Sequence, residues 1–274
     1  MKPLLPAALA MLTIQAADLR VDHATLAGLD LKGMQQELAA AGLPSEYGGK
    51  HANHATEMAT ISFPDGSYLE LISRQTDFDP KSFAGHAWVK YIETNAGPCA
   101  WAVRPIDFKD EVKRLKTAGV NMDDVTPSGR QRPDGVRLDW ETVQVHGDRG
   151  AFFPFLIHDI TPHQNRVYPT GKPSAPQLAG ITQVVIAVKD LDGAIAIYQK
   201  AYGLSDPIRK SDASFGANTA EFTGTPVVLA SPLSQTNWIA ARIAKYGDAP
   251  CAFAIGRPAK WIELKSVGGR LGIP

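Results

Sequence analysis

Val21-Asp22-His23-Ala24-Thr25-Leu26-Ala27, followed by Asp30-Leu31, aligns without a gap on Ile181-Thr182-Gln183-Val184-Val185-Ile186-Ala187, followed by Asp190-Leu191. Each copy reads as an apolar strand, a short loop and an amphipathic helix. Leu31, Met34 and Leu38 share one helical face in the first copy, and Leu191, Ala194, Ile195 and Tyr198 share one in the second. Both helices stop at a glycine-leucine pair, Gly42-Leu43 and Gly203-Leu204, where glycine suits the left-handed cap. A second repeat sets Pro98-Cys99-Ala100-Trp101-Ala102-Val103 against Pro250-Cys251-Ala252-Phe253-Ala254-Ile255. Repeats of this kind decide the architecture before any single motif does.

The segments between the repeats are strand material. Thr56 to Phe63 is β-prone, Pro64-Asp65-Gly66-Ser67 is a tight turn, and Tyr68-Leu69-Glu70-Leu71-Ile72 is an apolar strand broken by one carboxylate. In the second unit a helix is expected from Ile106 to Ala118. Val136, Leu138 and Trp140 then alternate with polar residues, and Phe152 to Ile157 forms a buried closing strand. Each full unit therefore reads βαβββ, and the fold class is α+β with tandem modules. Residues 18–160 hold two modules, the proline-bearing stretch 161–177 reads as a linker, and 178–274 repeats the plan. The last module is incomplete, because only about 25 residues follow Pro250, enough for one strand and one helix. An open sheet edge there invites a partner, such as a second copy of the chain.

Composition bounds the rest. The 274 residues are 44% hydrophobic and 20% charged, ordinary values for a folded chain, and 28 basic residues balance 28 acidic ones. No net basic field exists to hold nucleic acid or an anionic membrane, so neither is expected as a partner. Met1 to Ala17 has the order of a secretory signal: Lys2, an apolar run to Ile14, then Ala16-Ala17 before Asp18. That run is shorter than the roughly 20 residues that span a bilayer, so the expected location is secreted or periplasmic. Cys99 and Cys251 fit one disulfide of an exported protein and equally two buried small hydrophobes.

The paired units, with Asp22-His23 on the first strand and Leu69-Glu70-Leu71 on the fourth, resemble the vicinal oxygen chelate superfamily, and the first half resembles its glyoxalase-like domain family. Gly48-Gly49-Lys50-His51, Thr56, Asp65-Gly66, Arg130, Arg132-Pro133-Asp134-Gly135, Trp140 and Pro154-Phe155 carry the resemblance further. It implies curved mixed sheets around a cavity, with a divalent metal held from the first and fourth strands.

All seven histidines fall between residues 23 and 163, which places any chemistry in the first half. A carboxylate inside Tyr68–Ile72 is costly to bury unless paired or metal-bound, so Glu70 is the leading candidate, as ligand and catalytic group. His23 joins it. Ala100 stands at the counterpart of His23 and cannot bind metal, so His158 on the closing strand is the expected third ligand, with zinc, nickel, manganese and iron(II) all suited to two histidines and one carboxylate. A solvated strand-end role for His158 is the competing reading. His51, in a glycine-led loop with His54, is expected to contact substrate or move a proton rather than bind metal. Arg130 and Arg132 could hold a substrate carboxylate, or be exposed turn arginines. Tyr68 and Trp140 are expected to line the substrate cavity.

In the second half Gln183 and Val228 stand where His23 and Glu70 align, so that half reads as structural. The expected function is an exported, metal-dependent lyase or isomerase that stabilises an oxyanion on a small molecule. The alternatives are an extradiol-type dioxygenase, if the metal is iron(II), and a metal-free protein that binds or sequesters a small molecule.

Overall fold

The computed structural model describes residues 17–146 and 151–274. The segment read as a secretory signal, apart from Ala17, lies outside the described residues. In the first module β1 (Val21–Ala27) leads into α1 (Leu31–Ala40), where the Asp30 carboxylate accepts from the Gly33 amide and so satisfies one of the helix's orphan donors. Then follow β2 (Glu46–Lys50), β3 (Thr56–Ser62) and β4 (Tyr68–Arg74). Two short helices, α2 (Pro80–Ala84) and α3 (Val89–Glu93), separate this module from the next.

The second module runs β5 (Gly97–Val103), α4 (Phe108–Thr117), β6 (Asn121–Met122), β7 (Thr126–Gln131), β8 (Arg137–Val143), β9 (Val145–His146) and β10 (Phe155–Asp159). β6 and β9 pair with each other as a small separate ribbon. The other eight strands of the two modules form one sheet in the order β2-β3-β4-β1-β5-β10-β8-β7. β1 and β5 pair antiparallel at its centre, and β4 and β10 join them in parallel. The outermost strands approach through a bridge between His51 and Arg130, supported by the Ala52 amide bonded to the Gly129 carbonyl at 3.1 Å. The sheet is thereby curled into a nearly closed barrel.

Strand alternation divides β1 between two cores. Leu26 and Ala24 face outward into the main hydrophobic core with Met34 and Leu38 of α1. Ala27 faces inward with Ala100, Ala102, Phe155 and Ile157, and the covering segment adds Phe83 and Ile92 to that inner cluster. The stretch read as a linker holds a short helix, α5 (His163–Val167), with Arg166 and Val167 buried.

The second half begins with β11 (Ile181–Ala187), α6 (Leu191–Tyr202), β12 (Ile208–Asp212), β13 (Ala217–Glu221) and β14 (Val227–Pro232), and continues through α7 (Trp238–Tyr246). After Pro250 the sequence reading expected a strand and a helix. The structure instead has three strands, β15 (Ala249–Ile255), β16 (Lys260–Glu263) and β17 (Arg270–Ile273). Gly256 and Gly269 take positive φ and Pro258 removes a donor, which favours a return hairpin over a helix there. The seven strands are ordered β12-β13-β14-β11-β15-β17-β16 and form a half-barrel with two free edges. Among the described residues no helix is long and apolar enough to cross a membrane.

The halves share a core. Phe152 and Phe153, just before β10, pack on Tyr198 and Tyr202 of α6, and the Tyr198 hydroxyl donates to the Phe152 carbonyl at 2.6 Å. Gly97 has φ 69°, and a Cβ there would meet the Gly268 carbonyl oxygen at 1.8 Å, so the close approach of the two segments requires glycine. Cys99 on β5 and Cys251 on β15 are buried and unpaired, which matches the small-hydrophobe reading. The buried Arg242 of α7 bonds the carbonyls of Pro250, Ala96 and Pro98, tying β15 to β5. Arg242→Ala would leave three buried carbonyls short of a donor. Urea unfolding should show a loss of about 2–4 kcal/mol, whereas a variant as stable as wild type would show that the halves do not depend on this guanidinium.

Candidate functional site

A pocket of about 190 Å³ opens inside the first barrel. Its polar lining comes mainly from His23 on β1, Glu70 on β4, His51 after β2, Arg130 on β7 and His86 from the covering segment. Its apolar lining includes Trp140, Phe155, Ile72 and Trp88. Ligand pockets for drug-sized molecules run to roughly 300–1,000 Å³, so this one fits a smaller compound.

The pocket is anchored on an irregularity in β1. Its register with β5 shifts between Val21 and His23, leaving Asp22 as an extra residue of a bulge, which re-aims the side chain. Asp22 Oδ1 lies 2.6 Å from His23 Nδ1. Behind Asp22 stands Arg166, whose Nη1 and Nη2 donate to both its oxygens at 2.9 and 2.8 Å. The same guanidinium donates from Nε to Asp159 at 2.5 Å and from Nη1 to the Tyr68 hydroxyl at 2.7 Å. Burial pushes the Asp22 carboxyl upward, but Arg166 and His23 outweigh it and hold Asp22 well below the usual carboxylate range. Asp159 is likewise opposed by burial, yet its bonds to Arg166 and His163 bring it down to about 2.

An ionised Asp22 accepts the proton of His23 Nδ1, so Nε2 carries the lone pair. That Nε2 lies 3.9 Å from Glu70 Oε2, which also accepts from the Thr25 hydroxyl at 2.9 Å. On the other side His51 Nε2 lies 3.6 Å from Glu70 Oε1, while its Nδ1 meets the Thr56 hydroxyl at 2.8 Å. Burial, then the Arg130 charge, pushes the His51 pKa down to about 3, so this ring is neutral at physiological pH. Two imidazoles and a carboxylate thus converge with their second nitrogens occupied elsewhere. Separations of 3.6 and 3.9 Å are too long for strong hydrogen bonds. The two Nε2 atoms face different oxygens of the one carboxylate, His23 toward Oε2 and His51 toward Oε1.

Asp22, Asp159 and His163 also present ligand atoms within 4.8 Å of one another. The Arg166 guanidinium already sits among them and pairs with both carboxylates. A cation fills the role a metal would play there.

His23, Glu70, His51, Tyr68, Arg130 and Trp140 all line the pocket, and Arg130, which the sequence left open between a substrate contact and an exposed turn, is buried there. His158 does not. On β10 Phe155 and Ile157 face inward, so His158 points outward, half exposed, stacked on Phe108 and bonded to Glu141 at 3.0 Å. A single residue of register separates His158 from the inward-facing positions. Arg132 turns instead to Asp134 and the Asn165 carbonyl, outside the pocket lining. His54 is exposed, with φ 56°. Sequence reasoning missed Arg166, Asp159 and His86. The pairing of His163 with Arg166 three residues on, in a stretch otherwise read as linker, was the available signal.

Comparison with known proteins follows the same outline. The family described as "Glyoxalase-like domain" matches residues 21–202. No curated protein matches the chain. Among solved structures, a hypothetical protein from Staphylococcus aureus superposes with TM-score 0.68 at 12% identity, covering 93% of this chain and 99% of its own. A mutant 4-hydroxymandelate synthase from Streptomyces coelicolor gives TM-score 0.55 at 14% identity, covering 86% of this chain and 71% of its own. A fusion protein of a xylose isomerase-like TIM barrel with 4-hydroxyphenylpyruvate dioxygenase gives 0.54 at 14%, covering 92% and 39%. At such identities the likeness is one of fold.

The ion pair beneath the pocket sets a pH dependence. Asp159 titrates near 2 in the folded chain and near 4 unfolded, so its contribution is present above pH 4 and is lost as pH falls toward 2. Asp159→Asn should cost on the order of 2 kcal/mol at pH 6 and flatten the decline of urea stability between pH 4 and pH 2; an acid profile identical to wild type would refute the assignment.

Proposed function

Because the chain belongs to the glyoxalase-like domain family, we propose that the first barrel is a metal-dependent active site of lyase or isomerase type for a small molecule. The observation that carries this reading is the convergence of His23, Glu70 and His51 in one pocket, with Asp22 fixing the tautomer of His23. A carboxylate-histidine pair of this kind is the arrangement that orients a metal ligand. In this reading His23 and Glu70 hold the ion, and His51 takes the third place, for which His158 was the expected ligand. Such an ion supplies Lewis-acid polarisation of a substrate oxygen.

The chain's own residues supply the rest. His86 accepts the Trp88 amide on Nδ1 at 3.2 Å, so its proton is assigned to Nε2, a donor for a developing oxyanion. Burial lowers the pKa of His86, which keeps the ring neutral. Trp140, Phe155 and Trp88 exclude water from the substrate's apolar part. Export of the chain, and a homodimer that covers the half-barrel's free edges, belong to the same proposal.

One observation favours a second reading, a metal-free binding protein. The second module contributes Ala100, Ala102, Phe155 and Ile157 to the inner face, where a fully liganded site would place further donors. Elemental analysis after reconstitution with zinc, nickel, manganese or iron(II) separates the two. About one equivalent in wild type is expected, with at least a hundredfold weaker uptake by His23→Ala and Glu70→Ala, a smaller loss for His51→Ala, and none for His158→Ala. Wild-type protein that takes up none of these metals would leave the binding reading in its place.

A further inference from the structure

Arg130 is almost entirely enclosed, at 1% exposure, yet it lines the pocket. Its Nη1 donates to the Gly48 carbonyl and its Nη2 to the Arg166 carbonyl at 3.1 Å. Among the described residues no carboxylate pairs with it, and the remaining N–H groups of the fork bond no described acceptor. The molecule's other buried arginines differ. Arg166 holds two carboxylates, and Arg242 spends its fork on three backbone carbonyls at the junction of the halves. A buried guanidinium with no carboxylate in contact is costly to keep, and the Glu70 charge acts on Arg130 only across the pocket. Burial lowers the Arg130 pKa only to about 10, so the charge persists at neutral pH.

Placement turns this cost into a binding feature. The bridge between His51 and Arg130 pairs the two residues across the barrel seam, and cross-strand partners point to the same face. The unpaired fork therefore enters the pocket beside the imidazole that faces Glu70, with Ser128 two residues before it on the same face of β7. Beside these groups Trp140 pairs with Ser128 across β7 and β8 and meets the His51 ring edge-on at 6.4 Å, and Trp88 and Phe155 extend the aromatic lining.

We propose that the substrate is a small organic carboxylate whose carboxylate group docks on Arg130 and whose flat, apolar body lies against Trp140, Trp88 and Phe155. Guanidinium and carboxylate match as planar forks and form the charge-assisted pair that the chain itself leaves unmade. A phosphate dianion fits less well, since one fork would face two charges in a pocket that already holds the Glu70 carboxylate. The proposal rests on the reading of this pocket as the substrate site, and it is independent of whether metal is bound.

The test uses chelator-stripped full-length protein, so that no ion can take up the carboxylate. Benzoate and benzamide, equal in shape and different in charge, are titrated calorimetrically at pH 7.5. Benzoate should bind at least tenfold more tightly. Arg130→Gln, expected to melt lower because the Gly48 and Arg166 carbonyls lose their donors, should when folded bring benzoate down to the benzamide level, and Arg130→Lys should fall between. Equal affinity of wild type for the two compounds, or no binding of either, overturns the proposal, as does a folded Arg130→Gln variant that keeps the benzoate preference. Should Arg130→Gln fail to fold, the wild-type pair and Arg130→Lys still decide. Metal uptake is measured separately on the same preparations, so a benzoate preference without metal uptake would refute the metal reading alone.

Discussion

One buried cation, Arg166, sets the chemistry of the pocket. It brings two carboxylates, Asp22 and Asp159, to the floor of the barrel and neutralises them there. Without it two like charges would share a buried site, and one would take up a proton. A protonated Asp22 would donate to His23 Nδ1 instead of accepting from it, and the imidazole would turn an N–H, not a lone pair, toward Glu70. The state of a residue at the pocket wall thus depends on a guanidinium supplied by a short helix 144 residues further along the chain. Arg166 also donates to the Tyr68 hydroxyl, and that tyrosine stacks on His23 with ring centroids 4.8 Å apart, so the same side chain fixes the ring from two directions.

The two modules of the barrel divide the work unequally. They are related by the antiparallel pair β1 and β5, in which Thr25 faces Ala100 and His23 faces Ala102. The first module carries the imidazoles and the carboxylate. The second offers methyl groups at the corresponding places and contributes instead the unpaired fork of Arg130 and the indole of Trp140. One module therefore presents donors to an ion or a proton, and the other presents charge and apolar surface to a ligand. In the half-barrel the Gln183 and Val228 positions keep the register, with Val185 facing Val228 as Thr25 faces Glu70, but no imidazole or carboxylate pair remains at them.

The parts legible in the sequence were those with a period or a repeat. The duplicated strand-helix units and the tight turn at Asp65-Gly66 follow from local chemistry, and the pocket residues His23 on β1 and Glu70 on β4 came with them. What escaped depended on contacts that no local pattern encodes. The orientation of His158 turned on one residue of register. Arg166 looked like part of a polar linker because its partners lie on β1 and β10, and the proline-rich composition of 161–177 hid a helical turn that puts it against them. Arg130 and Arg132 were indistinguishable in sequence. In the folded chain one is sealed in the pocket wall, and the other rests on an exposed turn beside Asp134.

The second half, though poor in chemistry, bears on the site through packing. Phe152 and Phe153 lead directly into β10, the strand that carries Asp159 to Arg166, and they are gripped by Tyr198 and Tyr202 of α6. The family match runs through Tyr202, the last residue of that helix, so the matched stretch includes the aromatic brace as well as the barrel. A barrel cut free at residue 160 would expose those two phenyl rings and lose the bond from the Tyr198 hydroxyl to the Phe152 carbonyl. It would also lose Arg166 itself. Strand β10 would then have neither its brace nor its ion-pair partner, and Asp22 would keep only Arg104, 3.4 Å from its Oδ2, to hold it ionised against burial. The geometry that sets the tautomer of His23 is in this sense a property of the chain through α6.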